Sequence, residues 1–226
     1  MLMLHLIRHG ETNWNAERRV QGQSDSVLNS KGQAQAAELR PLIDSLNISA
    51  VYSSSNVRTM QTAEILAANL EHEITPVDGL REIRLGEWET QLWEELAEQY
   101  PQKVDQFRNH PADFSLEGAE TFQQLAERGK AALESIIMEE LGAHHSDPHT
   151  DDAIDNDVSE KQILVVSHGA ILKATLSLYA GVSMSGMWDA PDLTNCSHSI
   201  LRADADGHRY VERIGGFDPV DVGWPC

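Results

Sequence analysis

Two stretches of this chain share one form, an apolar run that ends in a polar residue and then His-Gly. The first is Leu6-Ile7-Arg8-His9-Gly10 and the second Val165-Val166-Ser167-His168-Gly169. Short, nearly continuous apolar runs such as 2–7 and 163–166 are the pattern of strands buried on both faces, as in a parallel sheet covered by helices. In an open α/β sheet, ligands bind at the carboxyl ends of the strands. If these two strands are neighbours, His9 and His168 face one another there, and the glycines after them let the backbone turn and approach a ligand closely. A lone histidine in such a place is most often a hydrogen-bonded structural residue. Two at equivalent strand ends, one preceded by Arg8, point to a site.

The rest of the chain fits that frame. Ala50–Ser53 reads as a third strand, leading into the helical stretch NVRTMQTAEILAANL with Val57, Met60, Ala63, Ile65 and Leu66 as its inward positions. Ser30 reads as the N-cap of an earlier helix in which Pro41 marks a kink or an early stop. Residues 88–141 are helical in composition, without a strand pattern. Near the end, SHSILRAD and HRYVERIG flank Asp206-Gly207, a hairpin signal. These elements predict an α/β fold of three layers, α/β/α. Its sheet is mainly parallel with an antiparallel edge, and a helical cap insertion spans about 88–141. The 226 residues are expected to form one domain over 1–226.

Charge narrows the function. Lys and Arg number 17 against 36 Asp and Glu, a formal net charge of −19, so the dense basic face of a nucleic-acid binder is absent. No apolar run approaches the roughly 18 residues that span a bilayer, so no membrane partner is expected. The apolar start runs straight into Arg8, His9 and Glu11 and reads as a strand, not a signal peptide. Two cysteines, Cys196 and Cys226, make no disulfide framework, and a cytoplasmic setting is the expectation. The segment 143–160 holds six acidic residues, three histidines and no Lys or Arg. It lacks the fixed glycine and closing glutamate of a calcium loop and reads as a solvated, flexible insertion, not a metal site.

Two more residues carry chemistry. Arg58 falls in the first turn of the helix after the Ala50–Ser53 strand, where free backbone N–H groups favour an anion and a guanidinium can fork onto phosphate oxygens. Glu82, in Leu80-Arg81-Glu82-Ile83, is an acid in an apolar and basic setting; beside a phosphate it would suit proton donation. A solvated surface role is the ordinary alternative for each.

LIRHGETNWN resembles the N-terminal motif of the histidine phosphatase superfamily, in its phosphoglycerate-mutase-like branch. RVQGQSDSVLNSKGQAQA, VYSSSNVRTMQTAEIL, LREIRLGEWE and VVSHGAILKATL resemble further motifs of that branch in the same order. The resemblance implies that His9 is the nucleophile, becoming phosphohistidine. Arg8, Arg58 and His168 would hold the phosphoryl group, and Glu82 would act as general acid and base. It places Asn15, Gln21, Gly22, Gly169 and Asn195 around the substrate. It implies no metal and no cofactor, a small phosphorylated metabolite as partner, and leaves a homo-oligomer open.

The branch holds both phosphatases and cofactor-dependent mutases. Between Glu89 and Leu125 only Lys103 and Arg108 are basic, without the adjacent arginine pair of the mutases, so hydrolysis is favoured. The alternatives are a phosphoglycerate mutase and a non-catalytic phospho-ligand-binding module. Two positions depart from the usual pattern: Thr90 stands where related phosphatases have Gly after Trp-Glu, and Ala119 where they have a second Gly.

Overall fold

A computed structural model describes residues 1–142 and 160–224. The acidic segment 143–160, apart from Glu160, therefore lies outside the described residues. β1 (Leu2–Arg8) is buried on both faces, with Leu2, Leu4 and Leu6 on one and Ile7 on the other. It joins β2 (Ile48–Ser54), β3 (Ile74–Val77), β4 (Lys161–Ser167), β5 (His198–Ala203) and β6 (Arg209–Arg213) in a six-stranded sheet of order β3-β2-β4-β1-β5-β6. The pairs β2–β3, β2–β4 and β1–β4 are parallel. Strand β5 runs antiparallel to both β1 and β6, and Gly207 turns the hairpin with φ +94°. Only β3 escapes the sequence reading: it is a four-residue edge strand containing Pro76, too short to show alternation.

Seven α-helices complete the described chain: α1 (Asn13–Ala16), α2 (Ser30–Asp44), α3 (Val57–Leu66), α4 (Trp93–Gln99), α5 (Pro101–Asn109), α6 (Phe122–Gly142) and α7 (Gly169–Tyr179). Asn29, not Ser30, caps α2: its side-chain oxygen accepts the N–H of Gly32 at 2.8 Å. Helix α2 also runs through Pro41 to Asp44. A proline in the last turn removes one hydrogen bond, and few residues remain beyond it to be lost.

Helices α2 and α3 cover one face of the sheet, packing Ile43, Ala63 and Leu66 on Ile7, Val51, Leu164 and Val166. Helices α6 and α7 cover the other, with Leu133, Ile137, Leu172 and Leu176 on Leu4, Leu6, Ile163 and Val165. A third cluster joins Trp88, Leu96, Val104, Phe114 and Phe122 to Ile171 and Ala174 of α7. Helix α6 thus belongs to two bodies, its first turn to the cap and its second half to the sheet layer. Each fully buried large apolar side chain in these clusters contributes about 1.5–3 kcal/mol. Among the described residues, no helix is long and apolar enough to cross a membrane.

Candidate active site

The parallel pairing of β1 with β4 sets Arg8 opposite Ser167, and the N–H of His9 donates to the Ser167 carbonyl at 3.0 Å. His9 and His168 therefore leave adjacent strand ends together. Their ring centroids are 5.2 Å apart with planes at 66°, and their residues are 3% and 0% exposed.

Nδ1 of His9 lies 2.7 Å from the Gly10 carbonyl oxygen. That oxygen can only accept, so Nδ1 carries the hydrogen and Nε2 presents a bare lone pair. Burial, reinforced by the charges of Arg58 and Arg8, holds the His9 imidazole well below its ordinary pKa. The same three causes, with the neighbouring His9, hold His168 down. Both rings are neutral at pH 7.

Arg58 is 1% exposed and donates from its two terminal nitrogens to the carbonyls of Ser24 at 2.8 Å and Gly22 at 2.7 Å. Burial lowers its pKa to about 10, which leaves it charged at neutral pH. Arg8 donates to the Leu193 carbonyl. Its side chain lies against the start of α7, where a Cβ on Gly169 would come within 3.3 Å of Nε. Nε of Arg8, Nε of Arg58 and Nδ1 of His168 are buried without a hydrogen-bond partner among the described residues. A buried polar atom left unpaired costs about 1–3 kcal/mol. Two of these three belong to cations that line the cavity around His9 and are suited to an anion; His168 is fully buried beside His9 and is not among the residues lining that cavity.

Glu82 lines the same cavity as Arg8, His9 and Arg58. Its carboxylate accepts the backbone N–H groups of Ile83 at 2.9 Å, Ala170 at 3.0 Å and Ile171 at 3.0 Å, the last two from the N-terminus of α7. A carboxylate has about four lone-pair positions, so about one remains for a reacting atom.

A cavity of about 200 Å³ brings Arg8, His9, Asn15, Gln21, Gly22, Arg58 and Glu82 together. Gln21 is held through its side-chain oxygen by Thr12 and Ser26, and Asn15 through its own by Thr12. Gly22 needs to be glycine: its φ is +52°, and a Cβ would meet the Glu89 carboxylate at 2.5 Å. Val20, Ile83, Leu85, Trp93 and Phe107 supply the apolar wall. Gly169 and Asn195 line instead a neighbouring cavity of about 580 Å³ that shares Arg8 and Glu82. There Asn195 donates to the His9 carbonyl at 2.9 Å, fixing the backbone behind the imidazole.

Some of the supporting residues are not evident from sequence. Ser54 Oγ lies 2.8 Å from Nε2 of His168. Thr62 accepts the N–H of Gly10 at 3.1 Å and donates to the Arg58 carbonyl at 2.7 Å. The expected inward face of α3 is corrected accordingly. Ala63 and Leu66 are buried, but Val57 is exposed, and Arg58, Thr59 and Thr62 fill the remaining buried positions. Spacing offered a signal, because Thr62 follows Arg58 by four residues and shares its helix face. The polar face turns inward because it meets a site, where apolar residues would pair with nothing.

Fold and site together define a phosphate-centred enzyme of the two-histidine type, and residues 4–214 match the histidine phosphatase superfamily (branch 1), to which the chain belongs. A relative described as "Probable phosphoglycerate mutase GpmB", from Salmonella choleraesuis, is 37% identical over 98% of this chain and 96% of its own length. Among solved structures, Bacillus stearothermophilus YhfR superposes with a TM-score of 0.83 at 29% identity, covering 96% of this chain and 98% of its own. A mycobacterial glucosyl-3-phosphoglycerate phosphatase shares the fold with a TM-score of 0.82 at 19% identity, covering 96% of this chain and 100% of its own.

Proposed function

We propose that this chain hydrolyses a small phosphorylated metabolite through a phosphohistidine. Nε2 of His9 attacks phosphorus, forming the N–P bond as the ester P–O bond breaks. The Glu82 carboxyl gives its proton to the departing oxygen, which leaves as an alcohol. Arg8, Arg58 and His168 bear on the non-bridging oxygens where charge accumulates. In the second half, the Glu82 carboxylate takes a proton from water, the water oxygen bonds to phosphorus, and the N–P bond breaks to free His9. Covalent catalysis thus divides one difficult displacement into two transfers.

The observation that carries hydrolysis over transfer is the supply of cations. The cavity around His9 is lined by three arginines, Arg8, Arg19 and Arg58. Arg19 is already engaged by Glu17 at 2.9 Å and the Thr90 carbonyl at 2.7 Å. Lys103 and Arg108 do not line it; Arg108 stacks over the Trp93 ring at 5.3 Å from the centroid. A mutase must hold a second phosphate while excluding water, and among the described residues lining this cavity no further free cation is present for that. The relatives described as probable phosphoglycerate mutases favour the second reading, a phosphoglycerate mutase. Incubation with 3-phosphoglycerate and a panel of small phosphate esters separates the two. Free phosphate is expected; net conversion to the 2-isomer without phosphate release overturns hydrolysis. Binding without turnover would indicate the non-catalytic module instead.

A further inference from the structure

Glu82 sits on a segment with no ladder to hold it, since residues 81–85 belong to no helix or strand. Its carbonyl accepts from Gln23 Nε2 at 3.2 Å and from Arg128, on α6, a residue that lines neither cavity and also grips the main chain on either side. Nη1 of Arg128 donates to the carbonyls of Gly79 at 3.0 Å and Arg81 at 2.8 Å, and Nη2 to that of Glu82 itself at 3.2 Å. Nε and Nη2 also form a two-pronged pair with the Glu120 carboxylate, each at 2.8 Å. All five N–H hydrogens of the guanidinium are thereby used. Glu120 closes the clamp by accepting the N–H of Arg84 at 2.8 Å, while its own N–H donates to the Arg84 carbonyl at 2.8 Å. Burial pushes the Glu120 carboxyl upward, but the bonds from Arg128 and Arg84 outweigh it and keep the group ionised.

We propose that Arg128 is a positioning residue for proton transfer, holding the Glu82 backbone so that its carboxyl meets the departing oxygen. The proposal rests on the hydrolase reading above. The carboxylate is held mainly from α7, and Arg128 of α6 alone ties the Glu82 carbonyl to those of Gly79 and Arg81, which Gln23 does not reach. Proton donors tolerate little displacement, because transfer needs hydrogen-bond reach. A lysine at 128 would offer three donors from one point and could not span Glu120 and three carbonyls.

The test is the dependence on leaving group. A p-nitrophenolate departs with little need of a proton, whereas an alkoxide from glycerol 3-phosphate needs one. A merely structural residue would affect both esters alike. In Arg128→Lys, kcat/KM for the alkyl ester is expected to fall about 30-fold or more, a part of the roughly 10²–10⁴ that a positioned proton donor supplies in full. For p-nitrophenyl phosphate the loss is expected to stay below about 5-fold. Glu82→Gln should show the same split, larger. If Arg128→Lys fails to fold, Glu120→Gln takes its place, with a smaller split in the same direction. Equal losses on the two esters, from folded protein, overturn the role of Arg128 alone. Wild-type protein that releases phosphate from neither ester overturns the hydrolase reading and the proposal with it.

Discussion

Ser54 Oγ stands 2.8 Å from Nε2 of His168, which leaves Nδ1 as the ring nitrogen without a partner. When Ser54 donates to Nε2, the ring hydrogen resides on Nδ1, the buried nitrogen without a partner. An N–H there can donate to a phosphate oxygen, whereas a bare lone pair would repel it. Replacing Ser54 with alanine removes the contact and the preference it gives to that tautomer. Loss of one neutral hydrogen bond, about 0.5–1.5 kcal/mol, should lower kcat/KM for an aryl phosphate about 3- to 10-fold. Unchanged kinetics would show that the tautomer is set elsewhere.

His9→Ala removes the imidazole whose Nε2 is left bare by the Nδ1 bond to the Gly10 carbonyl. Phosphate release is expected to drop at least about 10³-fold. Rapid quenching of the wild-type enzyme into alkali should trap an acid-labile, alkali-stable phosphoryl group on the chain, and the variant should trap none. Label on the variant would move the nucleophile to another residue.

Four histidines confer a pH dependence on stability. Burial lowers His5, His9 and His168 below 6.5, the last two strongly, and lowers His198 to about 4. The unfolded chain therefore binds more protons than the folded one once pH falls below about 6.5. Stability is complete above that value and declines as pH drops through the folded pKa values. The limiting slope is about 1.4 kcal/mol per pH unit for each histidine involved. Urea midpoints from pH 8 down to pH 5 check it; a flat profile would mean that the imidazoles are charged inside the fold.

Thr90 occupies the left-handed region, with φ +72°, at a position where the sequence resemblance leads glycine to be expected. A β-branched residue there is strained by about 1–3 kcal/mol. Its N–H is held by the Val20 carbonyl at 2.9 Å, which keeps the conformation in place. Thr90→Gly relieves the strain and returns part of the gain as unfolded-state entropy. A net stabilisation of about 0.5–1.5 kcal/mol is expected by urea denaturation; destabilisation would show that the threonine side chain contributes packing that outweighs its backbone.

In the proposed mechanism Arg8, Arg58 and His168 take the part that Mg²⁺ takes in other phosphoryl-transfer enzymes. Turnover is therefore expected to be unchanged by EDTA. A loss on chelation that a divalent ion restores would place a metal in the mechanism.

The apolar runs at 2–7 and 163–166, the Asp206-Gly207 turn and the His-Gly pairs were legible because each is a local signal. Strand burial, hairpin chirality and loop flexibility leave their mark within a few residues. The same locality explains the misses. Asn29 and Ser30 both suit an N-cap, and only the bond to Gly32 separates them. The edge strand β3 is too short to carry a period. Arg58 and Glu82 could be singled out as types, but their neighbours could not.

By itself, then, the order of residues determined which segments become buried strands and where each one ends, and it marked the histidines, arginines and acid that chemistry would need. Only the tertiary structure decided that β4 lies beside β1, that Ser54 on β2 reaches His168, and that Arg128 on α6 holds the Glu82 segment. Those contacts join residues dozens to more than a hundred positions apart. They exist because helices on both faces of the sheet bury its apolar surface, which brings distant strand ends and the segments around them to a single edge. Backbone preference acts over a few residues; burial acts across the chain, and the site is a product of burial.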